Sequence, residues 1–415
     1  MMILIAGITI GWAISKYNAN PLIPPPQNNI NTSVKTVYSE IESYPIPITD
    51  GFAKAPSLPG PTSAHSATVM DNGEIVVIGG YAKMFDKVPI ASTGIRIFNP
   101  EKSQWRTLGS TLINGRFLHS ALKLPNNKIL IAGGKGQHGK NLKTMELYDY
   151  NTGKVTTLPD LPNPVFSPGL NLLNNNEVLI TGGSRQATIL SWNPAGKYTT
   201  RPTKNQTNSR HINHDTINLP NGQVLIIAGR STAIELFNPE NEVFTQKKTR
   251  LPNVFDDLSV SLLNNGKILI AGAQLLSSGR CIDKTWLYDY QSDILTEGPT
   301  LKPTSDGKTL PGLSDLAAVD IFANDPNRKG TIILLAGGEY DPGNNNQNDT
   351  VLDSAWLYYS DSNTLVNIGP MPTGHDDFSA VPLPPTQKYQ RIMLISGYNY
   401  TDTIQGNCHI YYYTH

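Results

Sequence analysis

The 415-residue sequence predicts an all-β chain of seven repeated, four-stranded antiparallel units, and three observations carry that prediction. First, an aliphatic run ending in two small residues recurs seven times, over 75–80, 129–134, 178–183, 224–229, 268–273, 333–338 and 392–397. Second, the leading small residue stands at 79, 133, 182, 228, 272, 337 and 396, with steps of 54, 49, 46, 44, 65 and 59 residues, the spacing of stacked supersecondary units. Third, the runs are short, rich in branched side chains and bounded by Gly, which describes strands buried on both faces rather than helices.

The second copy shows how a unit is laid out. Residues 119–124 form a first strand, Pro125, Asn126 and Asn127 turn the chain because Asn tolerates positive φ, and 129–132 is the second strand. After a loop, 145–150 alternates as a third strand, Asn151, Thr152 and Gly153 turn again, and 154–158 is a fourth strand closed by Pro159. A sheet of this kind cannot cover both of its own faces, so the units must stack on one another.

This layout resembles the kelch repeat, a four-stranded blade with Gly-Gly after its second strand and an aromatic in or near its fourth. Trp105, Tyr198 and Phe244 take the aromatic place in copies one, three and four, beyond turns at Asn99-Pro100-Glu101, Asn193-Pro194 and Asn238-Pro239-Glu240. The other four copies lack it, and three of them put Trp286, Trp356 and Tyr411 in the third strand. The resemblance spans roughly 52–415 and implies a seven-bladed β-propeller, similar to the central domain of galactose oxidase-type copper oxidases and, with one blade fewer, to sialic acid mutarotases. The copper enzymes' Tyr and His ligand set and the mutarotases' acid–base residues find no match here, so the resemblance stops at the fold.

The chain ends suggest how such a ring shuts. The last copy stops after a third strand, 408–413, while 52–59 precedes the first copy where a fourth strand belongs. Pairing the N-terminal strand with the C-terminal blade would remove two open sheet edges.

Lys plus Arg at 33 balances Asp plus Glu at 33, so the chain has no general attraction to nucleic acid or anionic membrane. Residues 1–14 are apolar and uncharged, short for a membrane span, so 1–20 is expected to be a signal peptide or an N-terminal membrane anchor that exports the protein. Residues 21–50, rich in Pro and Asn, are expected to be a linker, and 51–415 the propeller. Cys281 and Cys408 are the only cysteines, open to either a bridge or two free thiols. No zinc spacing, no Ser/His/Asp order and no phosphate-cradling Gly loop is present, so neither a catalytic residue nor a cofactor is assigned.

The candidate site lies where the first strands begin. His65, His119 and His214 share one repeat position, Asp257, Asp315 and Asp377 share the position before it, and His375 and Asp376 stand close by. In a propeller the first strands line the axis, so these eight residues would ring one mouth of the channel, imidazoles on one arc and carboxylates on the other, suited to a metal or a sugar. The same residue types also serve as strand-start residues that bond nearby backbone, and both readings stand. Loops after the second strands vary widely in length, and Tyr340, Asp341, Tyr398 and Tyr400 would form a recognition rim on them. The expected function is a protein- or glycan-binding module, with a carbohydrate-active enzyme using the channel mouth as the alternative.

Overall fold

The computed structural model describes residues 36–39, 44–85, 88–305, 307–323, 330–343, 349–399 and 403–414. The predicted apolar stretch 1–14 and most of the predicted linker lie outside the described residues. Among the described residues the chain is all-β, with a single short 3-10 turn at Gln137–Gly139. It contains six four-stranded antiparallel sheets, one five-stranded sheet and several two- or three-stranded ribbons, an arrangement consistent with a propeller. No helix among the described residues is long and apolar enough to cross a membrane.

The units appear in the predicted order. The first comprises Ser66–Val69, Ile75–Ile78, Ile95–Asn99 and Gln104–Thr107, and the second Ser120–Leu124, Lys128–Ala132, Met145–Asp149 and Lys154–Leu158. The next four open on Gly169–Leu172, His214–Asn218, Ser259–Leu262 and Ala317–Asp320. The seventh sheet consists of Ser379–Leu383, Tyr389–Ile395 and Cys408–Thr414, with Gly51–Ala55 as its outer strand and Phe52 opposite Tyr411. Within the expected linker, Val37–Tyr38 pairs with the fourth strand of the first unit as its fifth strand.

Alternation along the second strands explains the unbroken aliphatic runs, because each side of the strand faces a different core. Ile75 and Val77 pack with Met393 and Ile395, whereas Val76 and Ile78 pack with Ile129 and Ile131. Leu130 and Ala132 then meet Val178 and Ile180, Leu179 meets Val224 and Ile226, and Leu225 and Ile227 meet Ile268 and Ile270. Leu269 and Ala271 meet Ile333 and Leu335, and Leu334 and Ala336 meet Ile392 and Leu394. Each of the Val, Leu, Ile and Met side chains contributes about 1.5–3 kcal/mol on burial. First strands of successive units lie side by side, and that of the seventh lies beside that of the first.

The small-residue pairs have a conformational cause. Gly337 and Gly338 sit at φ 68° and 88°, and a Cβ on Gly338 would lie 2.1 Å from the Ser314 carbonyl oxygen. Only glycine meets both demands without strain. Ala228 and Ser396 take the same left-handed backbone at φ 62° and 53° despite their side chains.

In four of the units a further repeated slot joins the loop before the first strand to the third strand. In the second unit Arg116 and Glu146 fill it as a fully buried ion pair, 2.5 Å apart. In the fourth His211 Nε2 lies 2.9 Å from Glu235 Oε1, and in the seventh His375 Nε2 lies 2.9 Å from His409 Nδ1. In the fifth the slot is apolar, with the Phe255 and Trp286 rings 5.2 Å apart. The position is therefore structural, and its chemistry is interchangeable so long as buried polar groups are paired.

Candidate functional site

One residue just before each first strand holds left-handed backbone: Ala64, Leu118, Ser167, Asn213, Asp257, Asp315 and Asp377, with φ from 44° to 56°. Asn and Asp tolerate this conformation better than other side chains, which is a local reason for the last four. Backbone bonds tie these residues across units. Ala64 N donates to Asp377 O at 2.8 Å, Leu118 N to Ala64 O at 2.9 Å, Ser167 N to Leu118 O at 2.8 Å and Asp315 N to Asp257 O at 3.2 Å. Residues distant in sequence are thereby drawn to one end of the sheets.

A second set comes from the residue that follows each small pair: Tyr81, Lys135, Ser184, Arg230, Gln274, Glu339 and Tyr398. Most bridge to the residue preceding a left-handed one, as Tyr81 does to Ser63, Gln274 to Asp256, Glu339 to Ser314 and Tyr398 to Asp376. Asn213 Nδ2 donates to Asp256 Oδ1 at 2.8 Å and to Asp257 Oδ1 at 2.6 Å, and Arg230 Nη2 lies 2.9 Å from Asp256 Oδ2. Lys135 Nζ sits 4.9 Å from the centre of the Phe166 ring. Burial and then Arg230 hold its ammonium below the usual lysine range.

The carboxyls titrate abnormally because they are buried and crowded. Burial, followed by the charge of Asp256, pushes Asp257 well above the carboxylate range, and burial, followed by Asp257 and Asp376, does the same to Asp315. Glu339 and Asp376 are also held well above it, by burial first and then by Asp376 and Asp377 respectively. Burial pushes Asp377 up to about 6, against the pull of the Tyr81 hydroxyl and the Lys135 ammonium. The four held well above that range carry a proton near neutral pH and can both donate and accept, whereas Asp377 is largely ionised there.

Two of the imidazoles are engaged between sheets. His119 Nε2 lies 2.9 Å from Ser66 Oγ of the preceding unit, and His214 Nε2 lies 2.7 Å from Thr181 Oγ1. His375 donates from Nδ1 to the Ser396 carbonyl at 2.6 Å. His65 is buried, and burial followed by Arg96 lowers it to about 3, while burial lowers His214 to about 3 and His375 to about 4.

On the predicted rim, Tyr340 pairs with Thr350, and Asp341 accepts from Gln274 Nε2 at 3.2 Å and from the Gly343 amide at 2.6 Å. Tyr398 pairs with Ile404, and Tyr400 lies outside the described residues. Cys281 and Cys408 are free and buried, and burial pushes both thiols up to about 12. Two shallow clefts open at the opposite end of the sheets, lined by Asn175, Trp192 and Asn193 and by Asn174, Asn221 and Asn238, remote from the carboxyls.

Sequence reasoning located the four aspartates but passed over Tyr81, Lys135, Asn213, Arg230, Asp256, Gln274 and Glu339. For five of these a signal existed: they immediately follow a small pair, and that place is otherwise occupied by Ser184 and Tyr398. Read down the seven copies, it shows two cations, Lys135 and Arg230, and one acid, Glu339.

No family model matches the chain. Over 83 residues it is 30% identical to an N-acetylneuraminate epimerase of Salmonella arizonae, a match covering 20% of this chain and 22% of that protein. By structure it is similar to a novel fungal alcohol oxidase with catalytic diversity among the AA5 family, in complex with copper, with a TM-score of 0.65 and 12% identity over 90% of this chain and 76% of that one. At that identity the likeness is one of fold, and the chain shares the all-β architecture of that oxidase.

Proposed function

We propose that the protein is an exported, seven-bladed kelch-type propeller that binds a glycan at one mouth of its axis. Seven units whose first strands adjoin in cyclic order support the blade count, and the pairing of Gly51–Ala55 with Cys408–Thr414 supports closure between the chain ends. The observation that carries the binding role is the convergence of Asp257, Asp315, Glu339, Asp376 and Asp377 with Lys135 and Arg230 at a single end of the sheets. Closely spaced donors and acceptors of this kind match the hydroxyls of a sugar. The loops around Tyr340, Asp341 and Tyr398 form the rim against the glycan or the protein that carries it. A glycan array probed with the full chain tests this: hits should disappear in a protein carrying both Asp257→Asn and Asp315→Asn. An array without hits, alongside a partner captured through the rim loops alone, would sink the glycan reading.

Export is proposed from the uncharged stretch 1–14, and a tagged protein recovered wholly from the cytoplasm would overturn it.

A second reading is favoured by the spread of carboxyl pKa values and by the short match to the epimerase. One protonated carboxyl gives its proton to a sugar ring oxygen while an ionised one takes the proton of the anomeric hydroxyl, so the ring bond breaks to a carbonyl form that recloses from either face. NMR of anomer exchange, slowed in Asp377→Asn, would establish it. A copper centre does not fit, because both ring nitrogens of His375 are taken by Ser396 and His409 and no group of three or more His, Cys, Asp or Glu among the described residues could hold a metal.

A further inference from the structure

The first unit buries a cation that no acid among the described residues neutralises. Arg96 of its third strand stands opposite Val77, the register that Glu146 takes opposite Ile131 and Glu235 opposite Ile226. Those two carboxylates each accept from two consecutive loop amides, Ile113 and Asn114 or Asn208 and Ser209. Each also meets a basic partner, Arg116 or His211. In the first unit the matching loop residues are Pro59 and Gly60, and Thr62 holds the partner's place. The slot is therefore turned round. Its third strand supplies a guanidinium, which donates through Nε to the Pro59 carbonyl at 2.8 Å, while Thr62 is neutral and donates to the Gly79 carbonyl at 3.0 Å.

Arg96 is 7% exposed, and among the described residues it engages only that one of its five N–H donors. Its Nη1 is buried without a partner. Arg116, by contrast, places Nη1 on the Gly133 and Thr144 carbonyls and Nη2 on Thr144 Oγ1 and Glu146. Burial alone depresses the Arg96 guanidinium, whereas Glu146 opposes that effect at Arg116. His65, which feels the Arg96 charge, is lowered to about 3 and stays neutral at pH 7, so it adds no compensation. A buried charge without a counter-charge is strongly unfavourable, and a water molecule answers its donors but not its charge. The guanidinium lies between two glycines: a Cβ would come within 3.1 Å of Nη2 at Gly60 and within 2.9 Å of Nη1 at Gly94. Gly60 and Pro61 are exposed, which puts the guanidinium one residue beneath the surface.

We propose that the Arg96 slot binds a small carboxylate through Nη1 and Nη2, in the role that Glu146 and Glu235 fill in the second and fourth units. Two parallel N–H groups on the guanidinium edge match the two oxygens of a carboxylate. The slot lies where the chain crosses from the seventh sheet to the first unit. That crossing is also held by Trp105 Nε1 on the Pro56 carbonyl at 2.8 Å and by Leu58 N on the Gly406 carbonyl at 2.8 Å, so the bound anion would steady the proposed ring closure. Thermal melts of the full chain at pH 7 compare sodium formate with sodium chloride at equal ionic strength. Formate should raise the melting temperature along a saturating curve, chloride should not, and Arg96→Met should abolish the formate response. Should Arg96→Met fail to fold, Arg96→Lys replaces it: the ammonium keeps the charge but lacks the fork, and half-saturation should need at least tenfold more formate. No shift, a linear rise of the kind that salt exclusion produces, an equal response to chloride, or a saturating curve unchanged in the variant overturns the proposal. The glycan reading is untouched by either result.

Discussion

Replacing Asp377 by Asn should stabilise the protein at neutral pH, contrary to the usual effect of altering a buried polar residue. Burial raises the Asp377 carboxyl from 3.8 to about 6. Below 3.8 the group is protonated whether the chain is folded or not. Between 3.8 and about 6 the unfolded chain ionises while the folded one keeps its proton, so stability falls as pH rises, and above about 6 the cost is constant. A difference of about 2 pK units corresponds to about 3 kcal/mol, an upper figure because water at the mouth screens the charge. The amide introduced by Asp377→Asn would not titrate, and Asn suits the φ of 51° at this position. Urea unfolding of both proteins at pH 4 and pH 7 should therefore show the variant gaining about 2 kcal/mol on the parent between the two conditions. The Tyr81 hydroxyl favours the ionised form, and that pH-dependent part is already contained in the shifted value of about 6. The buried imidazoles of His65, His214 and His375 weaken both proteins alike as pH falls below 6.5, and cancel. An offset that is the same at both pH values, or that shrinks toward pH 7, would refute the claim that folding holds this carboxyl protonated.

Other outcomes follow from the packing. Deleting residues 50–60 should leave an aggregating protein, since it removes the outer strand of the seventh sheet together with Pro56, whose carbonyl accepts from Trp105 Nε1 at 2.8 Å; a deletion variant melting like the parent would contradict this. Gly338→Ala should cost more than about 2 kcal/mol in urea unfolding, because its Cβ would meet the Ser314 carbonyl oxygen at 2.1 Å in left-handed backbone. Glu146→Gln, which strands the buried Arg116 charge, should cost about 3–5 kcal/mol in urea unfolding. Cys281 and Cys408 should resist a thiol reagent in the folded protein and both react after unfolding without reductant, and fewer than two reactive thiols would mean they are bridged.

Much of the fold was legible because its rules are local. Ile75 to Ile78 announced a strand buried on both faces, and the structure divides those four side chains between two cores. The recurrence of that run announced stacking. The aspartates at 257, 315 and 377 were found because they hold one repeat position, and that position is the left-handed residue before a first strand. The roles of the histidines were not legible. His119 and Ser66 are 53 residues apart and belong to different repeats, and no pattern within one repeat says which neighbour a side chain leans toward.

From the amino-acid order alone came the rhythm of strand and turn, the glycine pairs and the places of the acidic residues, since hydrophobic alternation and backbone sterics act over a few residues. Tertiary structure alone decided that Lys135 and Arg230, from the second and fourth units, share one end with carboxyls of the fifth, sixth and seventh. The reason is that charge acts through space: the tilt and stacking of whole sheets set the separations, and those separations determine which carboxyls keep their protons.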